Sequence, residues 1–481
     1  MKLKKHLKKW KILYGFLLFF ILLIFSIFVP FMSYEPVSQS TIDQFSLSRF
    51  YHDEEGPDRA MLMETNQSAW DERIRLMNLA EDRIVMSTFD MRAEESTKDI
   101  AAMLLHKADE GVKVQILVDG VSGVVRMEGR ELFYALSSHP NIEIKLYNRL
   151  NILQPWKSQG RMHDKYVIVD EKAYILGGRN TFDYFIGEYE TAHRSYDREV
   201  LIYNTEGSQG GGRTASSLYQ VEDYFQSVWD LDVCTYFHED ASLAEQSSVK
   251  EQIEMLYDRY DTIRSEHPEL FESFDYEAAT VPSNHVELVS NPTGIYCKEP
   301  VVFYELTELM KHAREKVVIH TPYAVCNDYM YERLKEVTAS VPVDLMINSV
   351  ENGDNFVASS DYLRHKGDII DTGVTLYEYD GGMSYHGKSM TIDGELSIIG
   401  SYNLDLRSTY VDTELMLVIQ SEALTAQLNE VMENFEKDCR TVVDADTYIV
   451  PDHIQVAEVP WMKRAAWAVV GFVLQPFRIL I

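Results

Sequence analysis

Cysteine is scarce in this chain: Cys234, Cys297, Cys326 and Cys439 are the only four in 481 residues. None stands in a C-x-x-C spacing, so zinc and dithiol motifs are not indicated. Four thiols permit disulfides, but nothing in their spacing asks for them. Positive charge is also short, with 45 Lys and Arg against 76 Asp and Glu and a net charge of −31. Six lysines precede residue 12 and no acid precedes Glu35, so taking those six away leaves −37 on the rest. A body that acidic repels phosphate backbones, which speaks against a nucleic-acid partner. A cleavage site is missing as well. "ILYGFLLFFILLIFSIFVPFM" (12–32) runs 21 residues without a charge, and no small-x-small pattern follows it in "FMSYEPVSQS". That length spans a hydrocarbon core and exceeds a usual signal-peptide apolar region, so an uncleaved anchor is expected. The lysine flank predicts a single-pass cell-membrane protein with a cytoplasmic N-terminus and an extracytoplasmic body.

What is present is ordinary for a globular core, 46% hydrophobic and 25% charged, and it is arranged twice over. "RIVMSTFD" (83–90) reads as a buried strand, followed by a helix through "TKDIAAMLLHKADEG" and the strand "VKVQILVDG". "KVVIHTPY" (316–323), "DYMYERLKEVTAS" and "VPVDLMINS" repeat that order. Short apolar runs alternating with amphipathic helices predict an α/β fold: two homologous, mixed or mainly parallel sheet domains packed around one shared site. The expected organisation is a basic flank and transmembrane anchor (1–33), a connector with an opening helix (34–75) and a first domain (76–235). An acidic helical linker (236–285), a second domain (286–445) and an apolar tail (446–481) follow. Within the first domain, "NTEGSQGGGRTASS" (204–217) reads as a flexible loop. In the tail, Trp461, Trp467, Lys463, Arg464 and Arg478 suit a helix in the membrane interface, with a helix docked on the core as the alternative.

The chemistry sits in a second repeat. "HDKYVIVD" and "HGKSMTID" both read H-x-K-x4-D, placing His163 with Lys165 and His386 with Lys388. In an extended chain, i and i+2 project to one side. Asp170 and Asp393 fall where the strand ends and are read as turn residues. "LGGRN" and "IGSYN" then deliver Asn180 and Asn403, each 17 residues after its histidine, with Gly178 and Ser401 small enough to let a ligand approach. Two imidazoles, two ammoniums and two amides suit a phosphodiester. Lysine and asparagine bind the non-bridging oxygens, one histidine attacks phosphorus, and the other protonates the leaving oxygen. The set calls for no metal and no cofactor. Each imidazole also needs an acceptor to fix its tautomer. "DREVLI" and "DTELML" offer Glu199 and Glu414, with Asp197 and Asp412 as second choices.

The doubled H-x-K-x4-D followed by G-G/S-x-N resembles the phospholipase D superfamily over roughly residues 60–480. "TPYAVCND", "GSYNLDLRS" with "TEL" behind it, and "GGRNTFDYF" are similar to its bacterial cardiolipin synthases. The resemblance implies a phosphohistidine intermediate, with His163 as nucleophile and His386 as acid and then base. It also implies membrane phospholipids as partners: phosphatidylglycerol, with phosphatidylethanolamine or cardiolipin as a second lipid. Asp412 departs from the family's usual N-x-E after "RS". Cardiolipin synthesis is the leading expectation, and a hydrolase releasing phosphatidic acid is the alternative. A scaffold with vestigial histidines and a nuclease rank behind them.

Overall fold

The computed structural model describes residues 2–207 and 213–481, with side chains from Trp10 onward. The basic flank's first side chains and the centre of the Gly/Ser-rich loop, residues 208–212, lie outside the described residues. Lys2–Phe28 form one helix, and Trp10–Phe31 is long and apolar enough to cross a membrane. The helix has no free tether after it, because Phe31 is already buried in the second domain's core.

The strands, in chain order, are β1 (Asp58–Met63), β2 (Arg83–Thr88), β3 (Lys113–Asp119), β4 (Ile142–Tyr147), β5 (Tyr166–Val169), β6 (Ala173–Gly177), β7 (Ser195–Tyr196), β8 (Glu199–Asn204), β9 (Cys234–Tyr236) and β10 (Val281–Pro282). The second half supplies β11 (His285–Ser290), β12 (Val317–His320), β13 (Val343–Asn348), β14 (Thr375–Tyr379), β15 (Ser384–Tyr385), β16 (Ser389–Ile392), β17 (Leu396–Gly400), β18 (Leu415–Gln420), β19 (Cys439–Val442) and β20 (Tyr448–Ile449). They build two nine-stranded sheets, β10-β1-β8-β6-β5-β2-β3-β4-β9 and β11-β18-β17-β16-β12-β13-β14-β19-β20.

Both sheets are mixed. Only β2-β3-β4 and β12-β13-β14 run parallel within them. The expected mixed sheets are therefore present, with the parallel part confined to three strands in each. Parallel neighbours need a helical crossover, whereas the stretch after each histidine folds straight back as an antiparallel hairpin, β5-β6 or β16-β17. Asp170 and Asp393 make those hairpin turns, at φ +48° and +55°. Asp170 also accepts the backbone N–H groups of Glu81, Asp82 and Arg83, and Asp393 those of Arg314, Glu315 and Lys316. Each carboxylate thus ties its hairpin to the start of β2 or β12.

One core lies between the sheets and is shared by both domains. Tyr174, Val200 and Ile202 from the first meet Ile399, Leu415 and Leu417 from the second, with the helices Leu218–Trp229 and Glu422–Glu436 packed into it. Two expected boundaries shift. The first domain begins with β1, and its last strand is β10, so the crossing to the second sheet falls at residues 283–284. The acidic stretch is not a free linker: Ser247–Glu266 is a helix whose Val249, Leu256, Tyr260 and Ile263 are buried in the first core. Its acids occupy the outer face, which masked the apolar stripe. The C-terminal helix Trp461–Val473 docks through Trp467 and Gly471 on the helix Phe356–Ile370. All four cysteines are free.

Candidate active site

Both histidines stand on extended segments just before β5 and β16, and each segment is clamped by the opposite domain. The His163 N–H donates to Thr413 Oγ1 (3.1 Å), and the Thr413 N–H donates to the Arg161 carbonyl (2.9 Å). In mirror fashion, the His386 N–H donates to the Tyr196 carbonyl (2.6 Å), and β15 pairs with β7. The orienting carboxylates cross over as well. His163 Nδ1 lies 2.8 Å from Glu414 Oε1, and His386 Nδ1 lies 2.6 Å from Asp197 Oδ2. Each ring therefore offers Nε2 for chemistry.

Glu414 occupies the expected orienting position. Glu199 does not, and it is replaced by its neighbour Asp197. The sheet register explains the difference. Gly177 pairs with Glu199, whereas its counterpart Gly400 pairs with Met416. Two residues back from these partners stand Asp197 and Glu414, so the two D-x-E triplets match only as letters. Glu199, one step further along the same face, enters a fully buried pair with Arg73 at 2.6 and 2.7 Å, with Arg179 3.5 Å off. Arg179 also donates to the carbonyls of Glu64, Asp197 and Phe185, so it serves the scaffold. Asp412 accepts from the Arg161 N–H and from Arg407, which fixes the segment entering His163.

Gly178 and Ser401 face these carboxylates, where a ligand-side role was expected. A Cβ on Gly178 would collide with Asp197 Oδ1. Ser401 Oγ donates to Glu414 Oε2 at 2.5 Å, and Ser408 Oγ to Oε1 at 2.6 Å. The role of Ser408 carried no sequence signal beyond its place in "LDLRS". Lys165 and Lys388 curl back so that each ammonium meets the carbonyl of its own histidine, and Lys388 Nζ also lies 2.8 Å from His386 Nδ1. Asn180 Oδ1 accepts the Asp90 N–H at 3.2 Å, which leaves its amide N–H groups toward the cleft. Asn403 is buried with its Oδ1 unpartnered.

A cleft of about 950 Å³ opens at this point, lined among others by Phe89, Asn180, Phe185, Asp354, Met383 and Ser384. The Phe89 ring lies 5.2 Å from His163, and Phe185 lies 5.0 Å from His386. Burial and the charges of Lys165 and Lys388 hold His163 well below its ordinary pKa. Burial and Lys388 likewise depress His386. Burial pulls Lys165 down to about 7 and pushes Glu414 up to about 8. Asp197 departs from that pattern: burial would raise it, but Lys388 and His386 outweigh burial and bring it to about 2. Among the described residues, no group of three or more His, Cys, Asp or Glu side chains is placed to hold a metal ion.

The family described as "Cardiolipin synthase, PLD-like domain" matches twice, at residues 74–206 and 306–436. An Escherichia coli protein named cardiolipin synthase C is 25% identical over 409 residues, covering 76% of this chain and 82% of that one. A Clostridium perfringens cardiolipin synthase is 24% identical over 379 residues, covering 78% and 70%. Among solved structures, the phosphatidylserine synthase of Haemophilus influenzae superposes with a TM-score of 0.62 at 13% identity, over 88% of this chain and 95% of that one. The two matched segments span more than half of the chain, each contains one histidine motif, and the chain belongs to the cardiolipin synthase, PLD-like family of phospholipase D-type, phospholipid-modifying enzymes.

Proposed function

We propose that the protein is a phosphatidyltransferase that makes cardiolipin from phosphatidylglycerol, alone or with a second phospholipid, through a phosphohistidine. The observation that carries this reading is the pair of imidazoles, each held by a carboxylate of the opposite domain, beside one cleft that Phe89 and Phe185 share with them. The two orienters differ in charge, and that supports a division of labour. Asp197, ionised down to about pH 2, opposes the burial and Lys388 that depress His386, so His386 is depressed less than His163 and is the better of the two to carry the acid's proton. Burial with two lysines favours a neutral His163, whose Nε2 lone pair suits a nucleophile.

In the first half-reaction, His163 Nε2 bonds to phosphorus, the bond from phosphorus to the headgroup oxygen breaks, and His386 protonates that oxygen. In the second, His386 takes the proton from the terminal hydroxyl of a phosphatidylglycerol. The resulting oxygen attacks phosphorus, and the N–P bond breaks. Two phosphatidylglycerols thus become cardiolipin and glycerol. Lys165, Lys388 and Asn180 are the groups that bind the non-bridging oxygens as charge builds. The family match and the relatives named cardiolipin synthase support a lipid acceptor. Water as acceptor would give phosphatidic acid by the same steps.

Purified protein in phosphatidylglycerol liposomes, followed by lipid mass spectrometry, separates the two outcomes. Cardiolipin and free glycerol in equal amounts are expected. Phosphatidic acid without cardiolipin would reassign the protein as a hydrolase.

A further inference from the structure

The anchor enters the body without slack. Leu23 and Ile27 are already half-buried, Phe28 packs its ring 4.6 Å from Phe477, and Phe31 is in the core. The anchor also packs against the turn Pro155–Lys157. Any surface beside that junction therefore sits at the level where the chain meets the bilayer. Two such surfaces are strongly apolar. In the loop before the turn, Ile152 and Leu153 are 90% and 78% exposed. On the C-terminal helix, one face is docked through Trp467, while Trp461, Val469 and Phe472 on its open side are 74%, 62% and 67% exposed. An apolar face of that kind, with Lys463 held over Trp467 at 4.7 Å, has the character of an interfacial helix.

We propose that this helix face and the loop tip seat in the leaflet beside the anchor and form an entry for lipid into the catalytic cleft. The helix packs on Phe356–Ile370, whose first residue stacks on Trp467 with ring centroids 5.8 Å apart. Asn355 caps that helix, and Asp354, one residue earlier, lines the cleft. The apolar surface and the cleft mouth are therefore joined at one helix end, with half-exposed Phe356 and Val357 between them. A lipid could keep its acyl chains on this surface while its headgroup reaches His163 and His386. The inference rests on Trp10–Phe31 spanning a membrane and on the site acting on lipids.

Two measurements on the full chain in phosphatidylglycerol vesicles test it. In vesicles brominated near the headgroup end of the acyl chains, the fluorescence removed by Trp461→Phe and by Trp156→Phe should be a quenched component, whereas that of buried Trp229 should not. Unquenched Trp461 and Trp156 would overturn the proposal. Val469→Glu with Phe472→Glu should lower turnover of bilayer lipid about tenfold or more and leave that of a soluble short-chain phosphatidylglycerol unchanged. Unchanged turnover of bilayer lipid would also overturn it. If both substrates are lost, the double variant is misfolded and the quenching decides. If the unsubstituted protein turns over neither, the lipid reading of the site fails, and the quenching still decides whether the surface is seated in the leaflet.

Discussion

Replacing Asp197 by Asn and Glu199 by Gln should separate catalysis from stability within three residues. Asp197 Oδ1 accepts the Arg198 N–H at 2.8 Å, while Oδ2 faces His386 Nδ1 at 2.6 Å. In Asp197→Asn the backbone donor keeps the amide oxygen, so the NH₂ group turns to His386. The ring proton is then forced onto Nε2, the wrong tautomer for a base. Loss of a charge-assisted hydrogen bond alone amounts to about 1.5–3 kcal/mol, or roughly 10- to 150-fold in rate. A tautomer reversal of this type extends that toward about 10⁴-fold. Less stability should be lost than in Glu199→Gln, because His386 and Lys388, already depressed by burial, can shed their protons once the carboxylate is gone, whereas Arg73 and Arg179 cannot.

Glu199→Gln leaves Arg73 and Arg179 buried without their counter-charge, and breaking such a pair costs about 3–5 kcal/mol. It should lower the denaturant midpoint markedly while the surviving folded fraction keeps its turnover per site. Cardiolipin formation by lipid mass spectrometry, paired with denaturant unfolding of the same samples, reads both. Asp197→Asn keeping more than about a tenth of the activity, a loss of only ~1.4 kcal/mol in barrier, would refute the orienter assignment. So would a stable but inactive Glu199→Gln.

Glu414→Gln should lose less than Asp197→Asn, because the hydroxyls of Ser401 and Ser408 can each reverse from donor to acceptor around an amide; equal losses in turnover would contradict this. His163→Ala and His386→Ala should each abolish turnover, with a phosphatidyl-enzyme trapped only in the His386 variant on mass analysis; trapping in the His163 variant reverses the roles. Phosphate binding at pH 8 should take up protons. Burial pulls Lys165 down to about 7, an anion against it raises that pKa, and a group neutral at pH 8 then gains a proton. Calorimetry in buffers of different ionisation enthalpy measures this, and a buffer-independent heat would contradict it. Chelation should leave turnover of a soluble short-chain lipid intact, since Lys165 and Lys388 supply the positive charge at the site. An impermeant protease on intact cells, with any wall removed, should digest the body, and full protection would reverse the expected orientation.

The parts of the site that repeat at fixed spacing were legible in the sequence. His163, Lys165 and Asn180, like His386, Lys388 and Asn403, lie within one hairpin each, so local offsets determine where they stand. Asp197 and Glu414 come from the next strand of the sheet, and their place depends on pairing register. A register shift of two residues keeps the side-chain face and changes which residue stands at the site. The letter match D-x-E therefore pointed to Glu199, while Gly177 and Gly400 pointed to Asp197 and Glu414. The same limit applies to Gly178, whose closeness to Asp197 exists only once β6 and β8 are paired. For Ser247–Glu266 the helix was expected but its docking was not, because its four buried residues are outnumbered by surface acids and the composition reads as a helical linker.

Crossing the orienters makes each ring depend on the opposite domain. Each domain carries a histidine, a lysine and an asparagine, yet its own carboxylate serves the ring of the other domain. A separated half would keep its motif and lose the acceptor that fixes its imidazole, as well as the partner backbone that holds the segment before β5 or β16. It would also expose the core between the sheets, where Leu417, Ile399 and Val200 are fully buried. The two faults have one cause, because the residues that seal the sheets together lead along β8 and β18 directly to Asp197 and Glu414. Within that shared frame the two copies differ at the carboxylate itself. One holds an aspartate kept ionised by Lys388 and His386, and the other a glutamate buried among serine hydroxyls. Two groups of the same chemical type with pKa values pushed apart are what an acid and a nucleophile drawn from one repeated motif require.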